Sequence, residues 1–295
     1  MRWTSRDARA LGAGLAYLAP SLVLFAAFVF IPLAQSVYLS LFNTRATGAI
    51  TTFAGLDHYA ELLTSEAFRT GLVATTLFAL YTVPIGIALG LVLAVLLNQR
   101  LRAINVFRTM MSSTIAISAA VGALIWLLLL NPSLGLLNYL LSLVGVRGPE
   151  WLIQPASAII AVSITTIWLT LGTNIIVLLA GLQSVPEEIY EAARLDGARG
   201  LRMFTSITIP MVSPSLFFLL VVDTISVLQA FTQIHVLTRG GPVDATRVLV
   251  YSIYQDAFQN FQFGFASAQA VILLLLVMAL TLIQFRFVER LVHYQ

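Results

Sequence analysis

Two residue types are missing from this 295-residue chain: it has no cysteine, and because all 16 basic residues are arginine it has no lysine either. Without lysine there is no Walker A phosphate loop, which needs G-K-[ST], and no Schiff-base chemistry. Without cysteine there is no thiolate nucleophile, disulfide or zinc–thiolate site. Histidine is scarce: His58, His235 and His293 lie far apart and never in H-E-x-x-H spacing. Charged residues make up only 10% of the chain against 59% hydrophobic, and the mean hydropathy is +0.93. That balance lies outside soluble globular domains, so water is not the main solvent of this protein. Any ATPase working with it must be another chain. A formal charge of +3 and a pI near 9.4 could suggest nucleic acid. The arginines, however, sit in short loops beside apolar runs, a pattern that membrane topology explains better.

Those apolar runs are what the sequence has in plenty. Crossing about 30 Å of hydrocarbon takes roughly 20 helical residues, and several runs reach that length. An apolar stretch over about 11–41, interrupted by Pro20 and Pro32, follows Arg2, Arg6 and Arg9. It is far longer than a signal-peptide core of about 7–15 residues, so it reads as an uncleaved first membrane helix, kinked or tilted at a proline. Further spans are expected over about 71–97, 109–130, 156–182, 207–234 and 265–288. The expectation is an all-α, polytopic membrane protein: one domain over 1–295 with six transmembrane helices. Grouping the N-terminus, the 98–108 and 183–206 loops and the C-terminal tail on one side gives that side eleven arginines against five. The arginine-rich side is expected to be cytoplasmic, with both termini inside.

The loop over 183–206 breaks the pattern, because polar and charged residues concentrate there between two apolar spans. Ser184-Val185-Pro186-Glu187 has the S-x-x-E form of a capping box. It predicts a short helix with Ile189, Ala192 and Ala193 on one face and Glu187, Glu188 and Glu191 near its N-terminal end. Gly197 is a natural stop, and Asp196 is placed to cap a second short turn through Arg199, Leu201 and Arg202. The result is a compact helical knob suited to a groove on a partner. The alternative is an amphipathic loop lying on the membrane surface.

Glu191-Ala192-Ala193, Asp196-Gly197-Ala198, Phe204, Ile207 and Pro210 resemble, in spacing and position, the EAA signature of bacterial ABC-importer permeases; Ile209 departs mildly from the commoner leucine. The resemblance covers essentially the whole chain. Thr238-Arg239-Gly240-Gly241-Pro242, Ala245-Thr246, the stretch Tyr254 to Phe258, Gly264 and Ala266-Ser267-Ala268 are similar to the carbohydrate-type branch, as is Gly55-Leu56-Asp57-His58-Tyr59. Gln284 to Glu289 with Tyr294-Gln295 look most like the A-type permease subunit of glycerol 3-phosphate and glycerophosphodiester importers. The resemblance implies a type I ABC importer permease fold with no cofactor of its own. Its implied partners are a second homologous permease, a dimeric cytoplasmic ATPase that binds ATP and magnesium, an extracytoplasmic solute-binding protein and membrane lipid. By the same resemblance Glu191, Ala192, Ala193, Asp196 and Gly197 are docking residues for the ATPase.

Polar side chains inside spans are costly, and each is a candidate pathway residue. Thr166, Thr170, Thr173 and Asn174 lie at helical spacing near Trp168, and Asp223 and Ser226 sit inside the fifth span with Gln229 beyond them. In the family resembled, these two helices line the substrate cavity, and Thr166, Thr170, Thr173, Asp223 and Ser226 match its contact positions. Hydroxyls and a carboxylate suit a polyol or a neutral sugar. Asp223, with no arginine mid-span to compensate, would repel a phosphate and disfavours a doubly anionic substrate in this subunit alone, whereas an ammonium-bearing glycerophosphodiester could meet Asp223 directly. Helix–helix hydrogen bonding is the alternative for the threonines and Asn174, and packing is the alternative for Trp168. A rival from another class is an ion-coupled secondary transporter using Asp223, against which stands the lack of a detectable inverted repeat.

Overall fold

The computed structural model describes residues 5–99, 101–133 and 135–292. Arg2, Arg100, His293, Tyr294 and Gln295, used above, lie outside the described residues. In chain order the α-helices begin with α1 (Ser5–Phe25) and α2 (Ile31–Leu39). A two-stranded hairpin follows, β1 (Phe42–Thr44) and β2 (Ile50–Phe53), antiparallel with Phe42 opposite Phe53. Next come α3 (Asp57–Thr64), α4 (Glu66–Leu97), α5 (Ile104–Ser112), α6 (Ala119–Leu129), α7 (Leu136–Leu143) and α8 (Pro155–Ser184). The second half holds α9 (Glu187–Leu195), α10 (Gly200–Met203), α11 (Ile209–Met211), α12 (Ser213–Leu228), α13 (Thr232–Leu237), α14 (Leu249–Tyr254) and α15 (Phe263–Ile283).

Among the described residues, four helical stretches are long and apolar enough to cross a membrane: Gly14–Leu39, Glu66–Leu97, Pro155–Ser184 and Phe263–Val288. The number rises to six if each of two bent helix pairs counts as one span. The bends differ from the straight spans read from sequence. The expected 109–130 span is two segments, Ile104–Ala116 and Ala119–Leu129, meeting at 104°, with Ser118 capping α6 by accepting the Val121 N–H. The expected 207–234 span is Gly200–Met211 and Ser213–Leu228 meeting at 68°, and it ends at Leu228 before the separate α13. Proline explains part of this irregularity. Pro32 and Pro210 each follow a one-turn π segment, Ala26–Phe30 and Phe204–Thr208, whose last bond runs five residues back from Ile31 to Ala26 and from Ile209 to Phe204. A wider turn relieves the clash that a proline ring makes with the turn before it.

The chain forms two compact units, residues 1–63 with 253–272 and residues 64–252 with 273–295. In the first, the hairpin and α3 are tied to the start of α15. Thr44 accepts the Gly264 N–H, and the rings of His58 and Phe265 meet edge to face at 6.0 Å. The second unit has α4, α8 and α12 at its core. On α4, Gly86 and Gly90 have the small-x-x-x-small spacing that lets membrane helices approach closely. A Cβ at Gly90 would stand 2.9 Å from the Asn174 Cβ on α8, so that approach requires glycine. At the other end of α8, Gly181 is in equally close contact with Ser215 on α12.

Candidate functional site

The loop leaving α8 starts differently from the capping box in its sequence. The Ser184 hydroxyl bonds back to the Gly181 carbonyl, and α9 begins after Pro186 without a side-chain cap. Extended backbone at Val185 and Pro186 turns the chain, and proline at this point gives up an N–H the helix start would leave unpaired anyway. Glu187 and Glu188 occupy the first turn and Arg194 the last, each favoured by the helix dipole. The end is a Schellman closure: the Gly197 N–H bonds to the Arg194 carbonyl (3.1 Å) and the Ala198 N–H to the Ala193 carbonyl (2.9 Å). Gly197 has φ +82°, a left-handed conformation in which a side chain would be strained. Asp196 is the C-cap of α9 and not the cap of a second helix, since α10 starts after Arg199 with no side-chain cap.

Packing then decides which way each residue faces. Leu91 and Ala94 of α4, Leu178 and Leu182 of α8, Val185, Val212 and Leu219 form one buried cluster, and Ile189, Tyr190 and Phe204 pack against it. The loop is thereby rooted in three membrane helices at once. Ala193 is buried, and Ala192, expected on the same face, points outward. The outer face runs Glu188, Glu191, Ala192 and Leu195, at i, i+3, i+4 and i+7. Leu195 is 90% exposed and Leu201 76%. Of the five candidate docking residues, Glu191, Ala192, Asp196 and Gly197 are thus exposed, and Ala193 shapes the loop from inside. Leu195 and Leu201 were not singled out by sequence reasoning, because an isolated leucine carries no sign of which way it will face.

The intramembrane candidates also divide. Asn174 (0% exposed) on α8 and Asp223 (6%) on α12 come together, the Asn174 Nδ2 donating to Asp223 Oδ2 at 2.9 Å across 49 residues of sequence. Thr166 is buried, its hydroxyl bonded to the Val162 carbonyl of its own helix. Thr170, half-buried like Thr173, bonds back to Thr166 and Ile167, while Ser226 and Gln229 are exposed. Trp168 packs edge to face on Trp126 at 6.1 Å. A second link joins α12 to the turn after α15, where Gln284 Nε2 donates to the Thr224 hydroxyl at 2.9 Å. The sequence reading missed one more buried acid, Asp256 in the first unit, whose carboxylate accepts from Asn260 (2.8 Å) and Gln269 (2.6 Å). It stood in a segment read as an outside loop, where an acid costs nothing.

The whole arrangement has counterparts. The family model described as "Binding-protein-dependent transport system inner membrane component" matches residues 86–294. The chain is 38% identical over 278 residues to the sn-glycerol-3-phosphate transport system permease protein UgpA of Agrobacterium fabrum (strain C58 / ATCC 33970), covering 94% of each. It is 35% identical over 277 residues to the protein of the same name from Pectobacterium atrosepticum, again covering 94% of each. Among solved structures, a chain of a bacterial alginate ABC transporter, crystallised with an alginate-bound periplasmic protein, superposes with a TM-score of 0.83 at 24% identity. The match covers 97% of this chain and 96% of that one. A chain of a bacterial ABC transporter involved in alginate import gives a TM-score of 0.82 at 25% identity, covering 97% and 98%.

Proposed function

This chain belongs to the family of inner-membrane components of binding-protein-dependent transport systems, and from that premise we propose that α9 and α10 form its docking element for a separate, dimeric cytoplasmic ATPase. As a member of that family it is a permease subunit of an ABC importer. The observation that carries the docking reading is the contrast between the loop's two faces. Ile189, Tyr190 and Phe204 root it in the cluster shared by α4, α8 and α12, while Leu195 and Leu201 are left uncovered by the chain, with charged residues beside them in the sequence. An exposed apolar residue on a short rigid helix is the usual anchor of a helix-in-groove contact. Movement of the docked partner would pass through that root to the membrane helices. ATP binding and hydrolysis, with magnesium, belong in this reading to the partner and bias the permease between outward- and inward-open states.

The other partners follow the same reading: a second, similar permease, and a solute-binding protein delivering to the face opposite the docking loop. With that loop inside, both termini are cytoplasmic. For the solute we take a glycerol phosphate or its diester, supported by the name that the relatives carry. The proposed path is lined by α8 and α12, with Thr170, Thr173 and Ser226 at accessible positions and the Asn174–Asp223 pair behind them; Thr166 supports the wall from inside. Neither α8 nor α12 carries a basic residue, so the cation facing a phosphate comes from the second permease. The ion-coupled alternative is left without support, since Asp223 is held by an amide of its own chain and the family is binding-protein-dependent. The test is ATP hydrolysis by the assembled transporter in lipid, with binding protein loaded with glycerol 3-phosphate, glycerophosphocholine or a disaccharide. Stimulation by a glycerol phosphate ligand, lost in Leu195→Asp, is the expected result. Equal stimulation of parent and variant would sink the docking assignment, and stimulation by the disaccharide alone would sink the solute.

A further inference from the structure

A partly open cavity of about 780 Å³ lies at the root of the proposed docking loop, lined by the ends of α4 and α8, by Arg108 of α5, by Glu187, Tyr190 and Arg194 of α9 and by Thr208. It belongs to none of the roles described so far. Its walls have two chemistries. Val95, Leu182 and Val185 are apolar and continue the two long spans. Arg108, Arg194 and Tyr190 are polar and come from α5 and α9. Arg108 is fixed in place: its Nε donates to the carbonyl of Leu97, the last residue of α4, at 2.9 Å, and one Nη reaches Asn105 at 3.5 Å. A guanidinium has five N–H donors, so three remain for a ligand.

Depth matters as much as charge. Helices α4 and α8 have 32 and 30 residues, which at 1.5 Å per residue is roughly 45–48 Å, the thickness of a bilayer including its headgroups. Helices of this length reach the headgroup region when they cross a bilayer, and the cavity lies at their ends. From apolar lining that continues the long spans, two arginines in the polar lining and this depth, we infer that the cavity holds the phosphate headgroup of an anionic membrane lipid, with its first acyl carbons against Val95. Glu187 also lines the cavity and opposes the anion, leaving a net charge of +1 from the three charged groups. One lipid seated here touches α4, α8 and the docking helix together.

The experiment uses the assembled transporter, delipidated in detergent and offered mixed micelles of phosphatidylglycerol or phosphatidylcholine, with lipid retained on this chain read by native mass spectrometry. The parent is expected to retain phosphatidylglycerol preferentially. Taking the usual strength of one basic residue near a lipid surface, Arg194→Gln lowers that preference about fivefold, Arg108→Gln with Arg194→Gln about thirtyfold, and Glu187→Gln raises it about fivefold. Because Arg108 also caps α4, Arg194→Gln is the deciding variant. Equal retention of the two lipids by the parent, or an unchanged preference in Arg194→Gln, overturns the inference. Displacement of phosphatidylglycerol by inorganic phosphate in millimolar excess would show that the cavity selects free phosphate instead, and overturns the lipid assignment. None of these outcomes depends on whether α9 docks an ATPase.

Discussion

Two regions of the second unit invert the ordinary rule of polar outside and apolar inside, in opposite directions. Between α8 and α12 an amide and a carboxylate are buried among apolar side chains; on α9 and α10 two leucines are left uncovered, with charged residues beside them in the sequence. The inner inversion is answered in part within the chain, since Asn174 Nδ2 donates to Asp223 Oδ2 while the buried Asn174 Oδ1 has no hydrogen-bond partner. The outer one is not, because Leu195 and Leu201 gain nothing from this chain's fold. Burying a polar group costs unless it is hydrogen-bonded, so the first region is a joint in the chain's own core. Exposed leucines gain from whatever covers them, so the second is where we propose that another molecule docks. The two are neighbours, since the cluster under the loop ends at Leu178 and Leu219, each four residues from a member of the joint.

The comparison can be broken most sharply on the outer side. Leu195→Asp is expected to weaken ATPase association by about 2 kcal/mol or more, roughly thirtyfold, as a central apolar anchor does, with no change in the thermal unfolding of the isolated chain. Co-purification and melting in detergent read the two effects separately. On the inner side, Gly90→Leu pushes a side chain into Asn174 and should cost about 1–3 kcal/mol of stability, seen as a lower melting temperature while ATPase binding is retained. Asp223→Ala leaves the Asn174 amide buried without its acceptor, at about 1–2 kcal/mol. The reciprocal pair Asn174→Asp with Asp223→Asn should recover much of that loss, and failure of the swap to exceed the single change would mean the pair is no joint. Gly197→Ala strains the left-handed turn by about 1 kcal/mol, detectable as faster amide exchange at the end of α9. Ser226→Ala, at an exposed position, should leave stability within about 0.5 kcal/mol. It should nonetheless raise the KM for solute-stimulated transport if Ser226 faces the path.

Legibility followed the range of the forces involved. Asp223 is conspicuous in the sequence because an acid in an apolar run is unfavourable wherever the run goes. Asn174 is conspicuous for the same reason, but its pairing with Asp223 is not, because it depends on how α8 is rotated against α4 and α12, where the close contact at Gly90 sits. Gly197 was readable as a helix stop, since a left-handed turn makes its demand locally. The neighbouring choice between Ala192 and Ala193 was not, because two adjacent alanines differ only in which side of α9 they occupy, and Ile189 and Tyr190 fix that side by packing. The two bends teach the same lesson. Pro210 and Pro214 flank the bend at Val212, whereas the 104° turn after Ala116 falls within an apolar run whose one local signal is the cap Ser118.

Hydropathy draws the final boundary. Gly14–Leu39 and Pro155–Ser184 are both strongly apolar, at 2.2 and 1.8, yet the first is 0% buried within the chain and the second 56%. The sequence by itself determined that this is a helical membrane protein of a binding-protein-dependent transport family, and where its polar loop begins and stops. Tertiary structure alone decided which spans form the core, which polar groups meet inside it and which leucines are left uncovered. The reason is that transfer from water to lipid depends on a residue's own chemistry, whereas burial against another helix depends on the neighbour that packing brings to it.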